Sequence, residues 1–400
     1  MNIKIPRNAK YIIDMLENSG FEAYVVGGCV RDSILGEAPQ DWDICTPALP
    51  EQIIEIFAGH NIIRTGLKHG TVTLVLDKPF EVTTYRVDGK YKDNRRPEQV
   101  KFVNVLKRDL ARRDFTINAL AYNPKTGLKD YYNGQLDLSE RKIKCVGNPN
   151  KRLRDDALRI MRALRFAATY GFEIEDNTAA AMRENKKLLH NISGERIALE
   201  LNKLIISDGA GVVLLAYADI IAELIPGFAS KININNAPKD IIIRLALLLR
   251  DINAHEILSR LKYDNGTVSA VTQLLRYIEE DINTWQIKRW LNKIGVERFR
   301  QLLAVKKAMQ DSENFDNILV ALDKTITQRE CFSLKDLAVN GKDLIALGTA
   351  QGAAVGVILN KLLDMVIDDE IDNSKASLLE AAEIQIKNFI EPIDKIVSLC

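Results

Sequence analysis

The residues best suited to chemistry lie between Val25 and Cys45, in VVGGCVRDSILGEAPQDWDIC. Asp41 and Asp43 stand two positions apart. A strand over Asp41–Cys45 would point both carboxylates to one face and turn Trp42 the other way, into the core. Two carboxylates so placed repel each other unless a cation lies between them. Mg²⁺, a hard ion that favours carboxylate and phosphate oxygens, is the natural choice. Two such ions would activate an attacking hydroxyl and stabilise a leaving pyrophosphate. No histidine accompanies the motif to serve as a base instead. An isolated DxD is more often a pair of exposed loop acids, but this one follows a Gly27-Gly28 pair that ends an apolar strand and opens a helix. A turn without Cβ atoms lets backbone N–H groups approach a phosphate, and the helix start favours the anion. Arg31 adds a fixed positive charge there and Asp32 follows it. A lone Gly-Gly reads as a tight turn; strand, Gly-Gly, Arg-Asp, helix and DxD in succession is far more specific.

A second constellation is Asp155-Asp156-Ala157-Leu158-Arg159. On a helix Asp156 and Arg159 would share a face. An exposed intrahelical ion pair of this kind is worth only tenths of a kcal/mol, and spacing alone leaves that reading open. The surrounding run is strongly basic, with Arg141, Lys142, Lys144, Lys151, Arg152, Arg154, Arg159, Arg162 and Arg165 opposed only by Asp155 and Asp156. A local basic surface suits a phosphate-rich ligand held at one place, although a solvated helix face has the same composition.

The elements that must position these residues fall into two classes. Up to about residue 140 the pattern is mixed α/β: a helix over Lys10–Asn18 closed by Gly20, a strand at Ala23–Val26, and a hairpin of Thr71–Leu76 with Phe80–Arg86. After Arg141, apolar residues recur at helical spacing, as in Ala157, Ile160, Met161 and Leu164. The expected fold is an α/β head domain, a mixed sheet of about five strands with helices, followed by an all-α neck, body and tail. The boundaries are set at 1–140, 141–205, 206–290 and 291–400.

Composition narrows the class. The 400 residues are 46% hydrophobic and 27% charged with a net charge of +1, which excludes a wholly basic nucleic-acid binder and leaves material for several cores. The five cysteines show no CxxC spacing and the four histidines are far apart, so neither a zinc site nor a disulfide framework is expected. No apolar run is long enough to span a membrane and the N-terminus lacks a signal-peptide core, so a cytoplasmic location is expected.

GGxxRD followed by DxD resembles the signature of the DNA polymerase β-like nucleotidyltransferases. The extended run KHGTVTLV, EVTTYRVDGKYKDNRRPEQVKFV, DLARRDFTINALAY and RLRDDALRIMRALRF is similar to the bacterial tRNA nucleotidyltransferase and poly(A) polymerase family, its class II branch, over at least Tyr24–Glu200. The resemblance implies template-independent addition of C, C and A to tRNA lacking part or all of its 3′ CCA, from CTP and ATP, with Mg²⁺. An enzyme that adds only A, a poly(A) polymerase, or an idle RNA-binding relative would share most of the motifs. It implies Glu81 as a third acid, although an edge-strand Glu is more often simply solvated. The polar stretch Asp88–Pro97 would be the loop that helps the site pass from C to A. Arg113 would contact the nucleotide, with Asp114 and Asn118 bracing the site; Asp114 could equally cap a helix starting near Phe115. Asp156 and Arg159 would read the base, Asp155 would orient Arg159 in place of the family's more usual Glu, and Arg162 and Arg165 would hold triphosphate.

The chemistry of such a pair is selective. Cytosine and adenine each present an amino donor beside a ring-nitrogen acceptor, matched by a carboxylate and a guanidinium. Guanine and uracil present the reverse and would meet acceptor with acceptor and donor with donor. The segment Asn191–Ile205, with Glu195, Arg196 and Glu200, is expected to brace the neck, with Ser193 as a helix cap. The glycine-spaced segment Leu337–Leu359 is open to an RNA backbone or to ordinary helix packing.

Overall fold

A computed structural model describes residues 3–89, 91–92, 96–97, 100–228, 234–309, 314–349 and 351–397. The chain forms two compact units, Met1–Asn235 with Lys239–Val268 and Asn236–Pro238 with Ser269–Cys400.

The first unit begins with α1 (Arg7–Asn18), which buries Ala9, Ile12, Ile13 and Leu16 as one stripe. Strand β1 (Tyr24–Val26) is buried throughout and leads through Gly27 into α2 (Gly28–Leu35). There follow β2 (Ile44–Thr46), α3 (Pro50–Ile56), β3 (Asn61–Ile63), β4 (Thr71–Val75), β5 (Pro79–Thr84) and β6 (Arg86–Asp88). A short antiparallel pair, β7 (Tyr91–Lys92) and β8 (Arg96–Pro97), precedes β9 (Val100–Phe102), which pairs with β6. The expected polar loop Asp88–Pro97 therefore carries this ladder, while its positions 90 and 93–95 lie outside the described residues. Helix α4 (Leu106–Leu110), β10 (Leu120–Asn123), β11 (Gly127–Asp130) and α5 (Gly134–Ser139) complete this part.

The main sheet has seven strands, in the order β11-β10-β1-β2-β5-β4-β3, rather than about five. The extra strands come from Asn61–Ile63 and the hairpin Leu120–Asp130, whose sequences carry weak β signals. Only β2 and β5 run parallel, with Ile44 opposite Val82. Two further expectations are corrected. Strand β2 starts at Ile44, so Asp41 and Asp43 lie on the approach to the sheet rather than within it. The backbone is nonetheless extended there: Val26 N–H donates to the Asp43 carbonyl, and Trp42 is buried between the two exposed aspartates. The run Phe80–Arg86 is also interrupted, at the fully buried Tyr85.

Beyond β12 (Lys142–Ile143) come α6 (Pro149–Asp155), α7 (Leu158–Tyr170), β13 (Glu173–Ile174), α8 (Asp176–Asn185) and α9 (Gly194–Ile205). Asn148 caps α6 by accepting from Lys151 N–H, with Pro149 in the first helical position. Gly171, left-handed at φ 63°, stops α7. Helix α7 packs on α9, and α6 on α8. Ser193 occupies the cap position of α9, but its side chain makes no capping hydrogen bond. Short helices α10 (Ala210–Ala216), α11 (Ala218–Leu224), α12 (Ile241–Leu248) and α13 (Ala254–Arg260) continue this unit.

The next helices are α14 (Asn265–Tyr277), α15 (Ile287–Met309), α16 (Asn314–Thr327), α17 (Gly341–Ala346), α18 (Ala353–Ile367) and α19 (Lys375–Val397). Helix α15 is kinked at Gly295, whose φ of 78° and ψ of 167° are not helical. In the second unit Leu344, Ile358, Leu362, Leu378 and Ala382 form a packed core beneath α17–α19, so the glycine-spaced segment is at least an ordinary packed helix pair. Among the described residues no helix is long and apolar enough to cross a membrane.

Candidate active site

The Gly27 turn is the hinge of the site. Its φ of 81° and ψ of −126° belong to glycine, and its carbonyl accepts from the Val30 and Arg31 N–H groups at the start of α2. A Cβ at Gly27 would lie 2.7 Å from an Arg113 terminal nitrogen. The missing side chain is therefore what lets the Arg113 guanidinium lie across the turn. Arg113 also stands 3.9 Å from Asp109, and its Nε is buried without a hydrogen-bond partner. An orphaned guanidinium donor beside a glycine turn is a group awaiting an anionic or polar ligand.

Asp41 and Asp43 sit beside this turn. The β2–β5 register sets Asp43 alongside Glu81, one step before the Ile44–Val82 pair, on the face where exposed and buried residues alternate. The Asp43 carboxyl is pushed up to about 6, first by the protein packed around it and then by the charges of Glu81 and Asp41, against a lowering by Arg113. Solvent reaches Asp43, yet its carboxylate is short of compensating positive charge. A cation bound beside it would relieve that shortage. Among the described residues no three His, Cys, Asp or Glu groups are close enough to form a self-sufficient metal cluster. Mg²⁺ is commonly held by one or two carboxylates plus substrate phosphate oxygens, and Asp41 with Asp43 fits that arrangement. Cys29, nearby, is held up at about 12 by burial and by Asp43, so it is no nucleophile at neutral pH.

Gly28, Arg31, Asp32, Asp41 and Asp43 line a cleft of about 1130 Å³ together with Arg141, Arg165, Tyr170 and Lys203, whereas Glu81, Arg113, Asp156 and Arg159 do not line it. Arg31 is buried and fully engaged. It pairs with Asp32 at 2.8 Å, donates to the Asn118 side-chain oxygen, and lies over the rings of Phe166 and Tyr170 at 5.1 and 4.9 Å. Tyr170 O–H in turn donates to Asp32. Arg31 thus joins head to neck as well as lining the cleft.

From Asn118 an ionic chain runs into the helices. Asn118 donates to Asp114 at 3.0 Å, and Asp114 pairs with Arg162 at 2.7 Å. Arg162 reaches Glu200 at 3.5 Å, which pairs with Arg165 at 2.5 Å. Asp114 also accepts from Phe115 N–H, at the start of a single 3₁₀ turn, Thr116–Asn118, rather than an α-helix. Burial opposes ionisation of Asp114, but Arg162, Asn118 and Arg159 override it and hold the carboxyl well below its usual range. Arg162 and Arg165 therefore brace the neck in this state; Arg165 also lines the cleft, whereas Arg162 does not line it.

An acid whose pKa is lowered on folding contributes stability above its unfolded value, near pH 4, and loses it as pH falls below that. Asp114→Asn should cost about 3 kcal/mol at pH 7 by stranding Arg162. Its stability should also fall less steeply than that of the wild type below pH 4. Urea unfolding at pH 7 and pH 3 measures both, and equal losses at the two pH values would contradict the assignment.

Asp156 and Arg159 do not share a helix. Asp156 is the extended residue between α6 and α7, and its side chain accepts from Leu158 N–H at 3.1 Å and from Arg196 at 2.9 Å. Arg159, in the first turn of α7, donates to the Arg152 and Arg112 carbonyls at 2.8 and 3.1 Å. The expected intrahelical pair is thus replaced by two side chains held separately by backbone and by Arg196. Asp155 pairs with Arg152 at 3.3 Å instead of bonding to Arg159. Arg196 and Glu200, expected as braces, hold Asp156 and the two arginines respectively; Arg141, Tyr170 and Lys203 were not expected in the cleft. Tyr170 lies four residues after Phe166 on α7, a spacing that puts both rings on one face.

Comparison with known proteins places this arrangement in context. The profile described as "Poly A polymerase head domain" matches residues 23–144. One for tRNA nucleotidyltransferase domain 2 matches 238–382, and "Probable RNA and SrmB- binding site of polymerase A" matches 171–232. The CCA-adding enzyme of Limosilactobacillus fermentum is 36% identical over 389 residues, covering 94% of this chain and 96% of its own. That of Geobacillus kaustophilus is 34% identical over 399 residues, covering 94% and 97%. The Bacillus stearothermophilus CCA-adding enzyme, solved in complex with CTP, superposes with a TM-score of 0.82 at 30% identity over 98% of both chains. The Thermotoga maritima enzyme complexed with tRNA, at 21% identity and a TM-score of 0.69, shares the fold over 94% of this chain and 95% of its own. Similarity of this extent, over nearly the whole length of each relative, shows that the chain belongs to the family of CCA-adding enzymes.

Proposed function

We infer that this protein adds C, C and A to the 3′ end of tRNA from CTP and ATP without a nucleic-acid template, releasing pyrophosphate at each step. The observation that carries this reading is the full-length similarity to CCA-adding enzymes, one of them solved with CTP. The cleft supports it, because it brings Gly28, Asp41 and the charge-starved Asp43 into one place, with Arg113 against the adjoining Gly27 turn. We further propose a head at 1–140, a base-reading neck at 141–205, a body at 206–290, a tRNA-binding tail at 291–400, and a place in the cytoplasm, where tRNA is found.

Asp41 and Asp43 would hold the divalent ion, proposed to be Mg²⁺, with Glu81 on the neighbouring strand as the third acid. Such an ion, when bound, supplies the positive charge that lowers the pKa of the tRNA hydroxyl and neutralises pyrophosphate. The chain's own residues do the rest. Gly28 and Arg165 line the cleft and would face the phosphates, Arg31 would give up part of its pairing with Asp32 and Asn118 to reach them, and Arg113, against the Gly27 turn, has a buried unpaired donor that would meet the nucleotide. Arg162 keeps the neck seated on the head through Asp114, and gives up part of that pairing if it also reaches phosphate.

Asp156 and Arg159 read the base. Neither is exhausted by its present partners: a carboxylate has about four acceptor sites and a guanidinium five N–H donors, and two of each are used. Pyrophosphate release tests the reading. A tRNA lacking the whole terminus should release three equivalents with CTP and ATP, one ending in CC should release one, and a complete tRNA none. Continued release with ATP alone would identify a poly(A) polymerase instead.

A further inference from the structure

We propose that a second cleft, next to the base-reading residues, is a phosphate subsite that holds the backbone of the RNA substrate; the proposal rests on the function inferred above. The cleft is about 600 Å³ and is lined by Val87, Asp88, Gly89, Ala111, five cations and Asp155. The cations are Arg108 and Arg112 from the head and Lys151, Arg152 and Arg154 from α6. It shares no lining residue with the reaction cleft, so the two are distinct.

The basic run of the sequence explains how it arises. Residues 141–165 divide between two faces: Arg141 and Arg165 turn to the reaction cleft, whereas Lys151, Arg152 and Arg154 turn to this one. Arg112, Arg152 and Arg154 are offset by Asp109, Asp155 and Glu184 at 3.0, 3.3 and 3.1 Å, so the positive charge left over in this concavity is that of Arg108 and Lys151, which an anion would balance. Three of the guanidinium groups are already oriented. Arg112 is tied to Asp109 at 3.0 Å, Arg152 to the Val146 carbonyl at 3.1 Å, and Arg154 to Asn185 at 3.0 Å. Arg108 and Lys151 are exposed and have no ion pair described, so their charges are available to a ligand.

The site is also coupled to base reading. The Arg112 carbonyl accepts from Arg159, and Asp155 immediately precedes Asp156. An RNA phosphate seated at Arg108 and Lys151 would be held in a cleft that shares Arg112 and Arg152 with the backbone that positions Arg159. Five of the ten lining residues are cations, which favours a phosphodiester over a neutral ligand.

The test is the Arg108→Ala/Lys151→Ala variant of the full chain, with Lys187→Ala/Lys262→Ala as a control for lost charge. Binding of fluorescent tRNA lacking CCA is followed by anisotropy across a salt series, and KM for CTP is measured separately. The proposal expects Kd for tRNA to rise about 10-fold, with the log–log salt slope smaller by about 1 to 2, because each lost phosphate contact removes about 0.7–0.9 from it. KM for CTP and kcat at saturating tRNA should stay within about twofold. A rise in KM for CTP with tRNA affinity unchanged would make the bound phosphate that of the nucleotide and overturn the RNA assignment. Unchanged Kd and KM, or an equal loss in the control, would overturn the subsite altogether. If the wild type binds no tRNA, the functional reading fails and not this subsite alone.

Discussion

Asp43→Asn should lower nucleotide addition by about 10³-fold or more, with tRNA affinity kept within about twofold, because removal of a group that stabilises developing charge costs several kcal/mol of transition-state energy. Asp41→Asn should behave alike. The free protein carries a second, opposite signature. An acid whose pKa is raised on folding destabilises the folded state once pH exceeds its unfolded value, and the penalty is complete above the folded value. For Asp43 that window runs from near pH 4 to about pH 6. Asp43→Asn should therefore raise Tm at pH 7.5 in the absence of divalent ions, and the gain should vanish below pH 4. Adding Mg²⁺ should raise Tm of the wild type and leave the variant unmoved. Retained turnover, or a variant less stable than the wild type at pH 7.5, would remove Asp43 from the metal site. The burial of Asp43 and its crowding by Glu81 and Asp41 are thus a local cost in stability, which a bound cation would offset.

Asp156→Asn is the second substitution with a large expected effect. The amide retains the shape and replaces one acceptor by a donor. Against cytosine this sets N–H toward N–H, and against uracil it removes an acceptor–acceptor conflict. Each such mismatch in a desolvated pocket costs about 1–3 kcal/mol. The ratio of kcat/KM for CTP to that for UTP should consequently fall by about 10²-fold or more, largely through loss on CTP. Arg159→Lys keeps the charge but loses the planar fork, and should relax selectivity in the same direction. Single-nucleotide incorporation onto a tRNA lacking CCA measures both. Unchanged selectivity in both variants would mean that base recognition lies elsewhere.

What was legible in the sequence was local along the chain. The Gly27 turn, helix α2 and the alternating Asp41-Trp42-Asp43 segment are each fixed by neighbours in sequence: a residue without Cβ, an apolar run, an aromatic that must be buried. The Asp156 break was not legible because Leu153, Ala157, Ile160 and Leu164 keep a helical rhythm across it. Tertiary and local hydrogen bonds override that rhythm: Asp156 takes Leu158 N–H with its side chain and is pinned by Arg196, from forty residues away. The chain Asn118–Asp114–Arg162–Glu200–Arg165 is of the same kind. Spacing makes Arg162 and Arg165 a ladder open to phosphate, and only the packing of α7 on α9 reveals how much of their charge is spent on Asp114 and Glu200. The sheet grew from about five strands to seven for a simpler reason. Leu120–Asn123 and Asn61–Ile63 are short, and their β-structure is imposed by neighbouring strands more than by propensity.

The central claim is that one cleft on this chain builds a terminus of defined sequence and then stops. Purified protein and Mg²⁺ are incubated with tRNA ending before CCA, after C, or after CC, with each nucleotide triphosphate supplied singly and then together, and the products are sized on a sequencing gel. The account predicts growth of the shortest tRNA by three residues, dependent on CTP and then ATP, with no further extension. Extension of the CC-ended tRNA alone, by a single A, or an unbounded ladder of A, would contradict it.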